Sequence, residues 1–451
     1  MNLKLISIIF ALLFSLQIFA NDTTAFLKIY EGRKVDKITF KGNKTKKYII
    51  DRELQTQIGD SLNLQIIAED IQRLRNLDVF ATINVGGIET ENGVELVYDF
   101  KEIIAALPYV SYQISDENGL ALGPAVRSGN FLYRDITFNA FFLFGGFTAY
   151  RVEFSWPWIT GNHISFDMEA SHIVRESQID NYNEVIDNFL VKPGTYIGKD
   201  FRLFGEFEFL RLENEGIIDS SSKINQFPDG TFRKVTLGNK VDNMPSLGVS
   251  FVQDTRDSFT NPNKGWFNEV KIQKTGGFLG GKTDFETYTF DFQKYIPIAK
   301  RQRIQLATLS TLRRGEMGID IPYNMDFHIG GANTVRGYEV AAEDQFFGKN
   351  QFIGTLEYRY DVIKPQNISL FGLNYRIGGQ LTAFADAGTV SNTFDDYLKE
   401  KWRIGYGIGF GILLPSVNTV RIEAAFNRDG EFNPTILISF YKTTAQRWRI
   451  R

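Results

Sequence analysis

From Ile104 to Arg451 the chain alternates apolar and polar side chains with a period of two, segment after segment. Val152, Phe154, Trp156 and Trp158 alternate with Glu153, Ser155 and Pro157; Ile164, Phe166 and Met168 with Ser165, Asp167 and Glu169; Tyr288, Phe290 and Phe292 with Thr289, Asp291 and Gln293. Phe352, Gly354, Leu356, Tyr358 and Tyr360 alternate with Thr355, Glu357 and Arg359, and Val420, Ile422, Ala424 and Phe426 with Arg421 and Glu423. This period means β-strands with one apolar and one polar face. Some stretches, such as Asn139–Phe144, lack clean alternation. Two architectures carry such a signature: a soluble sandwich with one wet face, and a transmembrane barrel with a wet lumen.

Three features select the barrel. Large aromatics gather near strand ends on the apolar faces, where interfacial girdles sit, in a chain holding 40 Phe and 19 Tyr. The polar faces carry charges of both signs in mid-strand, where exposure to lipid would cost roughly 2–4 kcal/mol each. Residues 1–20 have the order of a secretory signal peptide: Lys4, an apolar run from Leu5 to Phe19, and the small Ala20 before Asn21-Asp22. That run, interrupted by Ser15 and Gln17, is short of the roughly 20 apolar residues a spanning helix needs. At roughly 10 residues per strand and a similar allowance for connections, segment 104–451 holds about 16 strands. The expected fold is mainly β: a closed, even-numbered, antiparallel transmembrane barrel.

Composition removes other classes. The 50 Lys and Arg against 53 Asp and Glu lack the positive field of a nucleic-acid binder, so no nucleic acid is expected as a partner. With 0 Cys there is no disulfide framework, thiol nucleophile or Cys-ligated metal, and no cofactor is expected.

Residues 34–103 read differently from the barrel segment, and a short leader at 21–33 precedes them. Val35–Phe40 alternates as a strand, Gly42-Asn43 marks a turn, and Thr45 is placed to cap a short helix carrying Tyr48, Ile49 and Leu54. A second helix is predicted from Asn63, with Leu64, Ile67, Ile71 and Leu74 on one face. Strands around Val79–Val85 and Val94–Phe100 come next, joined by a turn at Glu91–Gly93.

Several constellations invite chemistry. Gly276–Thr283 matches the spacing of a phosphate-binding loop, but Tyr288, Phe290 and Phe292 come after it at strand spacing where that chemistry needs a helix, so a Gly-rich hairpin is expected. His163 and Ser165 suggest a lipase pair, yet both are expected to face inward, away from lipid. His172 and His328 show no Ser–carboxylate or metal-spaced companions and read as structural. Gly405, Gly407, Gly409 and Gly411 form a column expected to face the lumen and leave space there. The long connection 313–351 holds Gly330–Tyr338, a length typical of functional segments. Glu357 and Asp386 fall on lumenal faces of the strands after it, so Arg336 near its apex can bridge two carboxylates and pin the loop inside.

These residues carry a family likeness. The module, with F-K-G-N near its start and L-D-V-F after its second helix, resembles a POTRA domain. Val335-Arg336-Gly337-Tyr338, the Phe384-x-Asp386-x-Gly388 strand, the acid Glu357, and Asp254-Thr255-Arg256-Asp257 with the Pro262–Gly265 turn resemble the outer-membrane assembly-factor superfamily. That superfamily includes the BamA and TamA insertases and the two-partner-secretion transporters. The resemblance implies a 16-stranded outer-membrane barrel with a periplasmic POTRA module and a weak seam between first and last strands. It also implies an inward loop anchored by Arg336, with Asp386 and Glu357 as its partners. One module stands here, where insertases have several and secretion transporters typically two. The last strand is expected to end near Phe440-Tyr441, ahead of a basic tail at 442–451.

The function so implied is non-enzymatic: insertion or translocation of unfolded client polypeptides, with outer-membrane lipid and accessory proteins as further partners. Clients would add a strand to the module's open edge at Val35, Ile38 and Phe40, because edge backbone groups pair with any extended peptide. The alternative is a passive channel or structural surface barrel.

Overall fold

The computed structural model describes residues 25–439, apart from 78, 104–105, 116–118, 161–162, 177–182, 199, 216–234, 239, 259–260, 332–333, 339–346, 371–372, 395–398, 400 and 415–417. The signal-peptide segment 1–20, Phe440-Tyr441 and the tail 442–451 lie outside the described residues.

The amino-terminal module begins earlier than its hydrophobic pattern suggests. Ala25–Tyr30 forms a 3₁₀ turn whose Leu27 is fully buried in the module core, so this described part of the leader packs with the domain. β1 (Val35–Lys41) leads to α1 (Lys47–Asp51), α2 (Leu64–Asn76), β2 (Phe80–Thr90) and β3 (Gly93–Glu102). β3 is central, parallel to β1 and antiparallel to β2. α2 starts where Asn63 accepts hydrogen bonds from the amides of Gln65 and Ile66, and it buries Ile67, Ile71 and Leu74 against the sheet. Thr45 does not cap α1. It is buried, and its hydroxyl accepts from Asn130 Nδ2 at 2.8 Å, in the barrel wall.

The second body is one antiparallel sheet of 16 strands. In order these are β4 (Leu107–Ser115), β5 (Gly119–Phe131), β6 (Ile136–Gly145), β7 (Thr148–Trp156), β8 (Ile164–Glu176), β9 (Asn183–Ile197), β10 (Phe201–Glu215), β11 (Val241–Asp254), β12 (Gly265–Gly276), β13 (Asp284–Ala299) and β14 (Gln302–Arg314). Two short pieces within a loop, β15 (Phe327–His328) and β16 (Phe347–Gly348), pair with each other. The wall resumes with β17 (Asn350–Leu370), β18 (Leu373–Ser391), β19 (Arg403–Leu414), β20 (Asn418–Asn427) and β21 (Phe432–Ser439). Each strand pairs with its neighbour in sequence, except that β14 pairs with β17 across the loop. β4 and β21 are the sheet's two ends, and no ladder joins them among the described residues.

Alternation decides which side chain faces where. Leu356 is 49% exposed on the outside of β17 while Thr355, Glu357 and Arg359 are buried inside. Leu247, Val249 and Phe251 on β11, and Ile404, Tyr406 and Ile408 on β19, line the same apolar exterior. An apolar outside and a charged inside is a barrel solvated by lipid, its neighbouring wall strands satisfying one another's backbone groups. No described helix is long and apolar enough to cross a membrane. Asn139–Phe144, unclear from its pattern, lies within β6.

The module is docked on the end of the barrel where the β5–β6, β7–β8 and β11–β12 turns lie. The amide of Lys46 donates to Tyr133 O at 3.0 Å, Arg52 pairs with Asp135, and the Arg52 guanidinium stacks 4.9 Å over Trp158. Gln72 of α2 donates to Asp257 O at 3.2 Å.

Candidate functional site

The connection between β14 and β17 leaves the end opposite the module and turns back into the lumen. The hydroxyl of Thr334 bonds both the amide and the carbonyl of Gly330, and the amide of Gly331 donates to Tyr338 O at 2.7 Å, so the apex is a self-bonded turn. Gly337 has φ +94°, and a Cβ there would sit 2.5 Å from the backbone of Phe426, so no other residue fits. Ala332 and Asn333 lie outside the described residues.

Two forces seat this apex. Val335 is fully buried with Ile329, Ile353 and Val390, and burying a side chain of this size is worth roughly 1.5–3 kcal/mol. Arg336 supplies the second. Its Nε and Nη2 donate to the two Asp386 oxygens at 2.6 and 2.8 Å, a bidentate fork. Its Nη1 donates to Glu357 at 3.1 Å and Glu423 at 2.9 Å, and its backbone amide donates to Asp386 at 3.2 Å. The guanidinium lies 3.4 Å from the Phe384 ring centroid, and the side chains of Arg336, Glu357, Asp386 and Glu423 are all 0% accessible.

The wall completes the set. Arg359 donates to Glu357 at 2.7 Å, Arg421 reaches Glu357 at 3.0 Å and Glu423 at 2.8 Å, and Thr355 donates to Asp386 at 2.8 Å. Arg336, Arg359 and Arg421 thereby balance Glu357, Asp386 and Glu423, which is how buried charges avoid an unopposed desolvation cost. The glycine column of β19 provides the room: a Cβ on Gly405 would lie 1.7 Å from Arg336 O, and one on Gly407 2.7 Å from the Phe384 ring. Gly388 is similarly constrained by Val335, 2.7 Å from where its Cβ would be. Tyr338 bridges outward, its hydroxyl donating to Ile404 O at 3.2 Å beneath the Arg403 guanidinium.

Glu423 and the two further arginines were not singled out by sequence reasoning. Their signal was alternation: on β20 it sets Arg421 and Glu423 opposite the apolar Val420 and Ile422, and on β17 it sets Arg359 with Glu357 opposite Leu356, Tyr358 and Tyr360.

The second motif builds the β11–β12 turn at the module end. Arg256 forks onto Asp254 at 2.8 and 2.6 Å, while Asp257 accepts from the amides of Asn263 and Lys264. Pro262 is buried, and Gly265 (φ +111°) passes too close to Thr255 O to carry a Cβ. The turn carries Asn261 into a cluster that sequence reasoning missed: fully buried Arg303 donates to Asp361 at 2.9 Å, Asn263 at 3.2 Å and also Asn261, and Gln380 closes on Asp361 at 2.7 Å.

Other candidates separate. Gly276–Thr283 is a hairpin connection between β12 and β13 with no helix after it. His163 does not face inward on a strand. It is exposed in the turn before β8, with φ +60° and its ring edge-on to Trp158 at 4.9 Å, while Ser165 is buried. His172 has a carboxylate after all, Asp187 on the neighbouring strand at 2.6 Å, and no cluster suited to a metal occurs among the described residues. On the module edge, Val35 is fully buried and its backbone is already bonded: its amide to Asp60 O and its carbonyl to Gly59, both at 2.8 Å. Its edge is occupied, whereas Ile38 and Phe40 are half-buried, further along β1.

Comparison with known proteins places this geometry. Residues 33–103 match the POTRA family described as a surface antigen variable number repeat, and residues 145–448 match the Omp85 superfamily domain. The outer membrane protein assembly factor BamA of Nitratidesulfovibrio vulgaris is 25% identical over 425 residues, covering 86% of this chain; the chain spans 49% of that relative's length. Among solved structures, BamA from Haemophilus ducreyi lacking POTRA domains 1–3 aligns over 90% of this chain and 84% of its own (TM-score 0.56, 15% identity). CdiB from Escherichia coli aligns over 91% and 75% (TM-score 0.57, 12% identity), and CdiB from Acinetobacter baumannii over 90% and 72% (TM-score 0.52, 13% identity). A strand wall with lipid outside, a loop clasped within and a three-stranded module at one mouth together make this chain a member of the Omp85 superfamily, an outer-membrane β-barrel with a POTRA domain on its periplasmic side.

Proposed function

We propose that this protein inserts or translocates unfolded polypeptides at the outer membrane, and does so without catalysing a covalent step. The observation that carries the reading is the seam. β4 and β21 are the only wall strands in the described sheet with one side unpaired, and in hydrocarbon an unpaired edge is costly. A client strand would satisfy those groups by pairing with them, exchanging one set of backbone hydrogen bonds for another. The named roles of BamA and the resemblance to CdiB support the same class of work. Arg336, with Asp386, Glu357 and Glu423, would hold the loop in place during that exchange, and the free part of the β1 edge beyond Val35 would receive extended client on the periplasmic side.

The test uses the full chain in liposomes with an unfolded barrel client. Because the sequence has 0 Cys, single cysteines can carry photocrosslinkers at Val110 on β4 and Phe432 on β21, both exposed. Faster client assembly than in empty liposomes, with crosslinks at both positions, is expected. Assembly at the empty-liposome rate with every native client tried, and no seam crosslinks, would reject the proposal.

A further inference from the structure

We infer that the barrel mouth opposite the module carries an oxidation site, Met317 with Met325 behind it, at which peroxide releases the first limb of the lumenal loop from the wall. The chain has five methionines, and three of them, Met244, Met317 and Met325, meet in one apolar cluster. Met1 belongs to the leading segment 1–20, and Met168 lies on the lipid side of β8 in step with Ile164, which is 42% exposed. The aqueous methionines of the described barrel are thus gathered where the loop leaves the wall.

This cluster fastens the limb to wall strands other than those of the Arg336 clasp. Glu316 O accepts from the amides of Asp320 and Ile321 at 2.8 and 3.1 Å, which makes 316–321 a compact turn. The amide of Asp284, at the head of β13, donates to Asp320 O at 3.1 Å and ties the turn to the wall. Ile321 and Met325 then pack on Leu212 of β10, Met244 of β11 and Phe285 of β13, and Arg313 of β14 donates to Met325 O. Met244, Ile321 and Met325 are buried, whereas Met317 packs against them and stays half-buried. Met317 is therefore the member of the cluster that water reaches, and none of these contacts involves Glu357, Asp386 or Glu423.

A thioether fills an irregular apolar gap well, and it is also the one side chain of this cluster that peroxide attacks. The Met317 sulfur takes one oxygen from hydrogen peroxide, the O–O bond breaks, an S–O bond forms and the remainder leaves as water. Sulfur loses two electrons and the peroxide gains them. The sulfoxide is polar, and holding its oxygen against apolar side chains without a donor is costly, so the side chain swings out to water. The seat loses its outer member, Met325 is uncovered and reacts second, and 316–325 comes away from β10–β13. The clasp at Arg336 contains no sulfur and stays closed, so oxidant separates the two attachments of one loop.

The experiment uses the full chain in liposomes without client, so its failure is separate from that of the proposed function. Hydrogen peroxide is added in graded amounts, sulfoxide is followed peptide by peptide by mass spectrometry, and hydrogen exchange is measured before and after. Met317 is expected to oxidise at least about five-fold faster than Met168 and Met244, with Met325 next. Exchange at 318–326 should then rise at least about two-fold while 334–338 keeps its protection. Met317→Leu conserves volume and should fold with the untreated protection, yet lose the first phase of oxidation and most of the exchange response. Oxidation of Met317 no faster than Met168 overturns the inference. So does unchanged exchange at 318–326 once Met317 is fully oxidised, or a Met317→Leu protein that answers peroxide as the wild type does.

Discussion

Arg336 is held by shape as much as by charge. A lysine keeps the charge but cannot fork onto both Asp386 oxygens while also serving Glu357 and Glu423. Arg336→Ala leaves three buried acids facing Arg359 and Arg421, and removing one partner from a buried pair costs roughly 3–5 kcal/mol. The expected outcome is a barrel that stays folded in the membrane with a loosened loop and reduced client handling. Hydrogen exchange should rise sharply at 334–338 and little in β10–β13, with Arg336→Lys recovering only part of the protection. Wild-type protection in Arg336→Ala would show that the apolar seat around Val335 suffices. Gly405→Ala makes a complementary test: it removes no charge, yet its Cβ would overlap Arg336 O, so it should dislodge the same segment.

Among the elements, the periodic strands were plain in the sequence, and so were Glu357 and Asp386, because alternation assigns a face without any knowledge of neighbours. What stayed hidden depends on register across distance. Glu423 meets Arg336 only because the β19–β20 hairpin folds it back over the glycine column, and Arg303 meets Asp361 and Asn261 only once strands far apart in the chain are side by side. Thr45 has the composition of a helix cap but serves the barrel instead, a choice that local propensity cannot reveal. That contact belongs to a docking face with its own prediction. Arg52→Ala removes both the pairing with Asp135 and the stacking on Trp158, interactions worth about 1.5–3 kcal/mol for a charged hydrogen bond and about 0.5–2 for the ring contact. Protease sensitivity of the connection around 104–106 should increase while the barrel's own heat stability changes little. An unchanged digestion pattern would mean that the remaining contacts at Tyr133 and Asp257 hold the module unaided.

For the whole molecule, the clasped loop and the Asn261 cluster occupy the lumen near its two ends, so the barrel should conduct poorly in a planar bilayer. Deleting 319–346 should raise conductance several-fold, and Asn261→Ala alone should raise it less. High, steady conductance in the intact protein would instead favour a passive channel. The glycine column of β19 has a mechanical consequence. That strip of wall is bare backbone whose hydrogen bonds are already spent on its own neighbours, so beneath the apex it presents a smooth track with little to grip. Resistance to sliding is therefore concentrated at the guanidinium, the small oily patch beside it and the Tyr338 hydroxyl on Ile404 O, so the segment is seated at a few points and not along its length.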